Sequence, residues 1–129
     1  MKARSLVDFL ADSYALVAYL EGNPRYTKIF RRKTLATTAL NVLEVYATLL
    51  RRIDPKEAQD VCSGLLSLAV PVPAEVALAA GEFRHRMRSL KKDCSYIDAW
   101  GYAAAGRLGV PFLTGDPSFR GIEHVEFVR

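Results

Sequence analysis

Four acidic side chains, spread from one end of the sequence to the other, are the residues best suited to chemistry. Asp12 closes the apolar run SLVDFLAD, and Glu44 lies in the first turn of the helical run NVLEVYATLL. Asp98 follows SYI, and Asp116 follows PFLTG. Each acid stands where an apolar run passes into a helix. Four carboxylates gathered at one edge of a sheet would repel one another unless a cation lay among them, so the pattern points to a divalent metal and chemistry on phosphate.

Taken singly, each acid is better explained as part of a helix cap than as a metal ligand. The four cap patterns are Asp12 before Ser13, Asp116 before Pro117, and the capping boxes Asn41-x-x-Glu44 and Ser95-x-x-Asp98. Topology favours the joint interpretation, because helix N-termini and strand ends gather along one edge of a parallel sheet, where such sheets bind ligands. Capping does not explain why these positions are so consistently acidic.

The types of side chain near the acids select the metal. Carboxylates with no His or Cys beside them suit Mg²⁺ or Mn²⁺ rather than zinc. His85 lies in a basic helical run and His124 near the end of the sequence, and we assign neither to the metal. Ser13 and Thr114 flank the acids, and their hydroxyls are expected either to orient a carboxylate or a metal-bound water or to make simple turn hydrogen bonds.

Strands and helices alternate along the sequence, which predicts an α/β domain with a mainly parallel central sheet. The expected strands are SLVDFLAD, TLATTA, PFLT, VEFV and a short edge strand at VPVP. The expected helices are SYALVAYLEG, PRYTKIFRRK, NVLEVYATLLRR, DPKEAQDVCSGLLSLA, AEVALAAGEFRHRMRSLKK and SYIDAWGYAAAGRLG, the last stopped by Gly109.

Length and composition indicate one globular domain over residues 1–129. The formal net charge of +4 suits a polyanionic partner, although on charge alone a solvated basic surface is the favoured explanation. Short apolar runs interrupted by charge predict no transmembrane helix. Lys2 and Arg4 precede an apolar stretch as in a signal peptide, but acids interrupt that stretch, so we reject this interpretation. Cys62 and Cys94 form no metal or disulfide pattern and are expected to be reduced thiols of a cytoplasmic protein.

The whole sequence resembles a PIN domain, specifically the small VapC-like toxin ribonucleases of prokaryotic type II toxin–antitoxin pairs. The matching segments, in order, are FLADSYALVAYLEGNP, ALNVLEVYATLL, SYIDAWGYAAA and FLTGDPSFRGIEHVEFV. Asp12 matches the strand-end aspartate of the family and Glu44 its helix-borne glutamate. Asp98 matches the aspartate that opens the penultimate helix, and Asp116 that of the LTGDxxF turn. The sequence departs from the family in the helix AWGYAAAG, whose many small residues suggest close packing.

The resemblance implies a three-layer α/β/α PIN-like fold and a Mg²⁺- or Mn²⁺-dependent endoribonuclease that cleaves single-stranded or loop RNA by a metal-activated water. It also implies a homodimer and a VapB-like antitoxin whose peptide occupies the acidic groove. Asp12, Asp98 and Asp116 would hold one or two ions, with Glu44 binding directly or through water. Two alternatives remain open: a catalytically silent PIN-like module that binds RNA or a protein, and a phosphatase acting on small phosphoesters.

Overall fold

A four-stranded parallel sheet lies at the centre of the fold, in a computed structural model that describes residues 6–129. The strands are β1 (Phe9–Ala11), β2 (Leu35–Ala36), β3 (Phe112–Thr114) and β4 (Val125–Phe127), in the order β2-β1-β3-β4. The two central strands carry almost only apolar side chains, as expected of strands that are covered on both faces. Lys2 and Arg4, on which the signal-peptide question depended, lie outside the described residues.

Six α-helices connect or follow the strands within the described part of the chain. They are α1 (Ser13–Leu20), α2 (Pro24–Arg32), α3 (Ala39–Leu49), α4 (Pro55–Leu65), α5 (Val76–Ser89) and α6 (Tyr96–Leu108). Short 3₁₀ turns cover Leu66–Leu68 and Pro117–Phe119. Local sequence sets several ends: proline occupies the first turn of α2 and α4, and Gly109 ends α6 in the left-handed conformation at φ 80°.

The helices form one layer on each face of the sheet, because neighbouring strand residues point to opposite faces. Ala11 and Leu113 pack in one core with residues of α1 to α4. Leu10 and Phe112 pack in the other core with residues of α5 and α6. The predicted three-layer α/β/α architecture with a parallel sheet is therefore confirmed.

Two boundaries differ from those expected from the sequence. Helix α3 begins at Ala39, because the Thr38 hydroxyl accepts a hydrogen bond from the Asn41 N–H (3.2 Å) and so caps the helix three residues before the expected cap. Glu44 accordingly lies in the second turn of α3, not in its first. The expected strand TLATTA shortens to Leu35–Ala36 for the same reason.

The expected edge strand at VPVP is not formed. Pairing on this side of the sheet consists of one parallel bridge between Thr37 and Ala69, just before the segment. Pro71 and Pro73 have no N–H to donate, so the ladder does not continue into them.

The small residues of α6 allow a close approach at one position. A Cβ atom added at Gly101 would lie 2.8 Å from Cε1 of Phe112 and 3.2 Å from Oδ1 of Asn41. Gly101 therefore lets α6 lie directly against β3 and α3, whereas Gly106, farther along the same helix, has no atom within 4 Å of its own added Cβ. Close packing thus depends on one glycine of this helix.

Two further sequence predictions can be compared with the structure. Cys62 and Cys94 are both free and buried, in agreement with their assignment as unpaired thiols. Among residues 6–129, every helix is too short or too polar to cross a membrane.

Candidate active site

Asp12 follows β1 directly and is the N-cap of α1. Its Oδ1 accepts a hydrogen bond from the Ala15 N–H at 2.8 Å, which is an ordinary cap. The residue is only 1% exposed, and its second oxygen, Oδ2, is buried without a hydrogen-bond partner in the described part of the protein. A cap needs one carboxylate oxygen, so capping accounts for only half of this side chain.

Burial, together with the negative charges of Asp98 and Asp116, raises the pKa of Asp12 to about 8. The Thr114 hydroxyl and the Ala15 N–H each lower this pKa in part. The Thr114 hydroxyl nevertheless makes no hydrogen bond of good geometry to Oδ2, which stays unpaired. Asp12 therefore resists ionisation until a positive charge is brought to it.

Asp98 lies in the first turn of α6, and its N–H donates to the Oγ of the N-cap Ser95 at 3.0 Å. Burial raises the pKa of Asp98 to about 6, with further contributions from the charges of Glu44 and Asp116. Hydrogen bonds from Ser95 lower it in part. The Ser95 half of the predicted capping box is thus formed, and the charges of two other carboxylates act on its acid.

Asp116 follows β3 and caps the 3₁₀ turn at Pro117–Phe119. Its Oδ1 accepts hydrogen bonds from both the N–H and the Oγ of Ser118, each at 3.0 Å. The buried Thr114 hydroxyl in turn accepts from the Asp116 N–H at 3.1 Å. Thr114 therefore helps to fix the backbone that carries Asp116. This is the turn hydrogen bond that was one of the two roles expected for its hydroxyl.

We name Asp12, Glu44, Asp98 and Asp116 the acid cluster. The charges of Asp12, Asp98 and Asp116 act on one another, and Glu44, half-buried on α3, acts on Asp98. Within residues 6–129, however, no three His, Cys, Asp or Glu side chains are close enough to hold a metal ion as they stand. The unpaired Oδ2 of Asp12 and the all-oxygen donor set fit a hard divalent cation, provided that the side chains close around it.

Ser13 does not bind the acids, although the sequence placed it among them. Its Oγ donates to the Asn41 carbonyl (3.4 Å) and accepts from the Asn41 Nδ2 (3.2 Å). Asn41 is fully buried, and its Oδ1 accepts from the Thr38 hydroxyl at 2.6 Å. Sequence reasoning took Asn41 for a cap and missed this bridge from α1 to α3, which fixes the two helices that carry Asp12 and Glu44.

A polar groove of about 630 Å³ lies between α1 and α3, and Glu44 is the one member of the acid cluster that lines it. Ser13, Arg51 and Arg52 also line this groove. A second, more apolar cavity of about 370 Å³ lies between α5 and α6, lined by residues that include Phe83, but no member of the acid cluster lines it. Of these two cavities, the polar groove is therefore the one that touches the acid cluster, through Glu44.

Comparison with known proteins agrees with the fold. The sequence matches the family model of the PIN domain over residues 9–125. No curated protein matches the sequence. A toxin–antitoxin complex from Klebsiella pneumoniae superposes with a TM-score of 0.75 at 16% identity, covering 92% of this chain and 96% of that one.

Two further solved structures resemble the chain to a similar degree. A sarcin–ricin loop cleaving VapC toxin of Mycobacterium tuberculosis gives a TM-score of 0.70 at 21% identity, covering 92% of this chain and 98% of that one. A DNA-bound VapBC from Salmonella typhimurium gives 0.72 at 15% identity, covering 95% and 98%. These likenesses establish a shared fold. The match of the PIN family model over residues 9–125 shows that the chain belongs to the PIN domain family.

Proposed function

We propose that this protein is a metal-dependent endoribonuclease of the VapC-like toxin type, which cleaves RNA phosphodiester bonds. The observation that carries the proposal is the buried carboxylate of Asp12, which has one capped oxygen and one unpaired oxygen beside two further acids. An unsatisfied buried polar atom costs about 1–3 kcal/mol. A divalent cation at Oδ2 would offset that cost and the repulsion among the acids.

In this proposal Asp12, Asp98 and Asp116 hold one or two Mg²⁺ or Mn²⁺ ions, and Glu44 contributes directly or through water. Such an ion, when bound, activates water as a nucleophile and offsets the charge that develops on phosphate. Three of the four acids are built into or beside helix caps, so their backbones are fixed before any ligand arrives. The Ser13–Asn41 bridge plays the same positioning role between α1 and α3.

The polar groove is the proposed path of the RNA backbone. Arg51 and Arg52 line it together with Glu44, so the groove carries both cations and an acid of the cluster. Arg52 also pairs with Glu21 at 2.8 Å in an exposed ion pair, which is weak enough to exchange for a phosphate. We expect this groove to attract RNA through phosphate contacts that weaken as salt is raised.

We further propose that residues 1–129 act as one PIN domain in the cytoplasm, as a homodimer with a VapB-like antitoxin. Three of the structural relatives named above are toxins or toxin–antitoxin complexes, which supports such a partner. An apolar cavity of about 380 Å³ lies between α3 and α4, where Leu43 is 57% exposed and Leu66 is 51% exposed. An apolar segment of a partner would cover these leucines.

Cleavage of a labelled oligoribonucleotide in Mg²⁺ or Mn²⁺, with EDTA as the control, tests the proposal. Asp12→Asn and Asp98→Asn should each abolish cleavage, because each removes a charge that the cation requires. Asp54→Asn is the matched control, since Asp54 is an exposed N-cap of α4 that takes no part in the acid cluster. Undiminished RNA cleavage by both site variants would end the assignment.

The competing function is a catalytically silent PIN-like module that binds RNA or a protein. The separation of the acid side chains favours it, because no three of them within residues 6–129 form a ready metal site. Binding of RNA without cleavage in either metal would select this alternative. Turnover of a nucleotide in preference to an oligonucleotide would instead select a phosphatase of small phosphoesters.

A further inference from the structure

Tyr96 is a large aromatic side chain that the core does not use. It opens α6, two residues before Asp98, and 76% of it is exposed. The guanidinium of Arg84, from α5, lies 4.1 Å from the centre of the Tyr96 ring. The Arg84 Nε–H also donates to the Cys94 carbonyl at 2.9 Å. Arg84 is therefore held in place by the backbone that leads into α6 while it covers part of the ring.

The Tyr96–Arg84 pair lies at the first turn of α6, the turn that also carries Asp98 of the acid cluster. Burial, together with the charges of Asp98 and Asp116, raises the pKa of the Cys94 thiol to about 12, although the charge of Arg84 lowers it in part. The charges of the Arg84 guanidinium and of two carboxylates of the acid cluster therefore all affect this one buried thiol. A substrate that reaches the acids from this direction would pass the aromatic ring.

The surrounding surface carries positive charge suited to a polyanion. The Lys92 Nζ donates to the Arg120 carbonyl at 3.2 Å, which joins the loop before α6 to the turn that follows Asp116. The Arg120 guanidinium lies 4.5 Å from the centre of the Phe127 ring. Lys92 and Arg120 therefore add positive charge at the loop before α6 and at the turn after Asp116.

We propose that Tyr96, supported by Arg84, is a stacking platform for one unpaired nucleobase of the RNA whose backbone crosses the acid cluster. Aromatic rings bind the face of any base, and a guanidinium behind the ring adds a cation for the adjacent phosphate. A base within a duplex has both faces covered by its neighbours, so the platform requires an unpaired base. The inference rests on the proposed ribonuclease function and adds to it a residue that binds the substrate.

A binding measurement without cleavage tests the platform directly. A single-stranded oligoribonucleotide containing 2-aminopurine is titrated with the protein in EDTA, and both affinity and 2-aminopurine fluorescence are followed. We expect wild-type protein and Tyr96→Phe to bind alike and to quench the fluorescence, because both keep the ring. Tyr96→Ala should lose the quenching and bind on the order of 10- to 100-fold more weakly.

Leu78→Ala is the control variant, because Leu78 is 74% exposed on α5 and loses a similar apolar surface. It should leave both quenching and affinity unchanged. Thermal melting establishes that each variant is folded; Tyr96 lies after the cap residue Ser95, so Ala at this position keeps the cap.

Three results would overturn the platform: Tyr96→Ala that binds and quenches like wild type, equal weakening for single-stranded and duplex RNA, or wild-type protein that binds no RNA. Each is distinguishable from failure of the proposed function, which is measured by cleavage in Mg²⁺ or Mn²⁺. If cleavage persists while any of these results holds, only the platform is wrong. If cleavage is absent but Tyr96-dependent quenching remains, the site binds single-stranded RNA without cutting it.

Discussion

Replacing Asp12 with Asn should stabilise the metal-free protein at neutral and alkaline pH, although it removes a residue that we place at the centre of the site. The substitution keeps an oxygen that can accept from the Ala15 N–H, so the cap of α1 is retained. It removes the ability of the side chain to ionise, which is the larger part of the cost of burying Asp12 at neutral pH.

The size of the effect follows from the pKa of Asp12, which folding raises from 3.8 to about 8. At pH 7 the unfolded chain holds this carboxyl ionised and the folded chain holds it protonated. Taking up that proton costs about 1.36 kcal/mol for each pH unit above 3.8, or about 4 kcal/mol at pH 7. The new amide NH₂ lacks a hydrogen-bond partner, which destabilises the variant by about 1–3 kcal/mol. We therefore expect the free energy of unfolding of Asp12→Asn to exceed that of wild type by about 1–3 kcal/mol.

The sign of the pH dependence is fixed by the direction of the shift. Because the folded protein binds more protons than the unfolded chain between pH 3.8 and about 8, wild-type stability falls as the pH rises through that window. The contribution of Asp12 is fully present below pH 3.8 and is lost by about pH 8. The advantage of Asp12→Asn should therefore be smallest in acid and greatest above pH 8.

Urea unfolding in EDTA at several pH values measures this difference. Asp54→Asn makes the same chemical change at an exposed cap and should alter the free energy of unfolding by less than about 0.5 kcal/mol. If Asp12→Asn proves no more stable than wild type at pH 8, the account of the unpaired oxygen is wrong. A gain of equal size in both variants would assign the effect to general surface charge.

Three other predictions concern the cation, the packing of α6 and the buried thiol. Millimolar Mg²⁺ or Mn²⁺ should raise the melting temperature of wild-type protein, and more at pH 8 than at pH 6, because protons must leave the acid cluster first; KCl of equal ionic strength is the control. Gly101→Ala should lower the free energy of unfolding by about 1–3 kcal/mol, because the added Cβ meets Phe112. Gly106→Ala, where nothing lies within 4 Å of the added Cβ, should raise it by up to about 1 kcal/mol. If urea unfolding shows Gly101→Ala to be the more stable of the two variants, the packing of α6 is described wrongly. The Cys94 thiol, with its pKa near 12, should react with a disulfide reagent at pH 8 only after unfolding, and fast reaction of the native protein would contradict its burial.

Local patterns in the sequence were enough to predict the caps and the strand ends. Asp12 and Asp116 each follow an apolar run and precede a helical turn, and both lie where that pattern indicates. The start of α3 was missed because Thr38 and Asn41 are both competent caps. The choice between them depends on the buried contact of Asn41 with Ser13, 28 residues away, which no local pattern contains.

Contacts between distant segments were also beyond the sequence. Arg84 and Tyr96 meet only because α5 packs along α6, and their spacing in the sequence does not indicate a stack. The Gly101 contact is of the same kind: the small residues suggested close packing, but only the structure identifies which glycine allows it. The unpaired Oδ2 of Asp12 depends on complete burial, which sequence position alone does not give.

The caps of Asp12 and Asp116 limit how each carboxylate can chelate. Oδ1 of Asp12 is occupied by the Ala15 N–H, and Oδ1 of Asp116 by two donors of Ser118, so each residue has one oxygen left to offer. Ca²⁺ favours six to eight ligands and gains from bidentate carboxylates, whereas Mg²⁺ binds one or two carboxylates and retains several waters. In the proposed metal site, monodentate aspartates would disfavour Ca²⁺, so the same hydrogen bonds that begin two helical turns would also select the ion by its size.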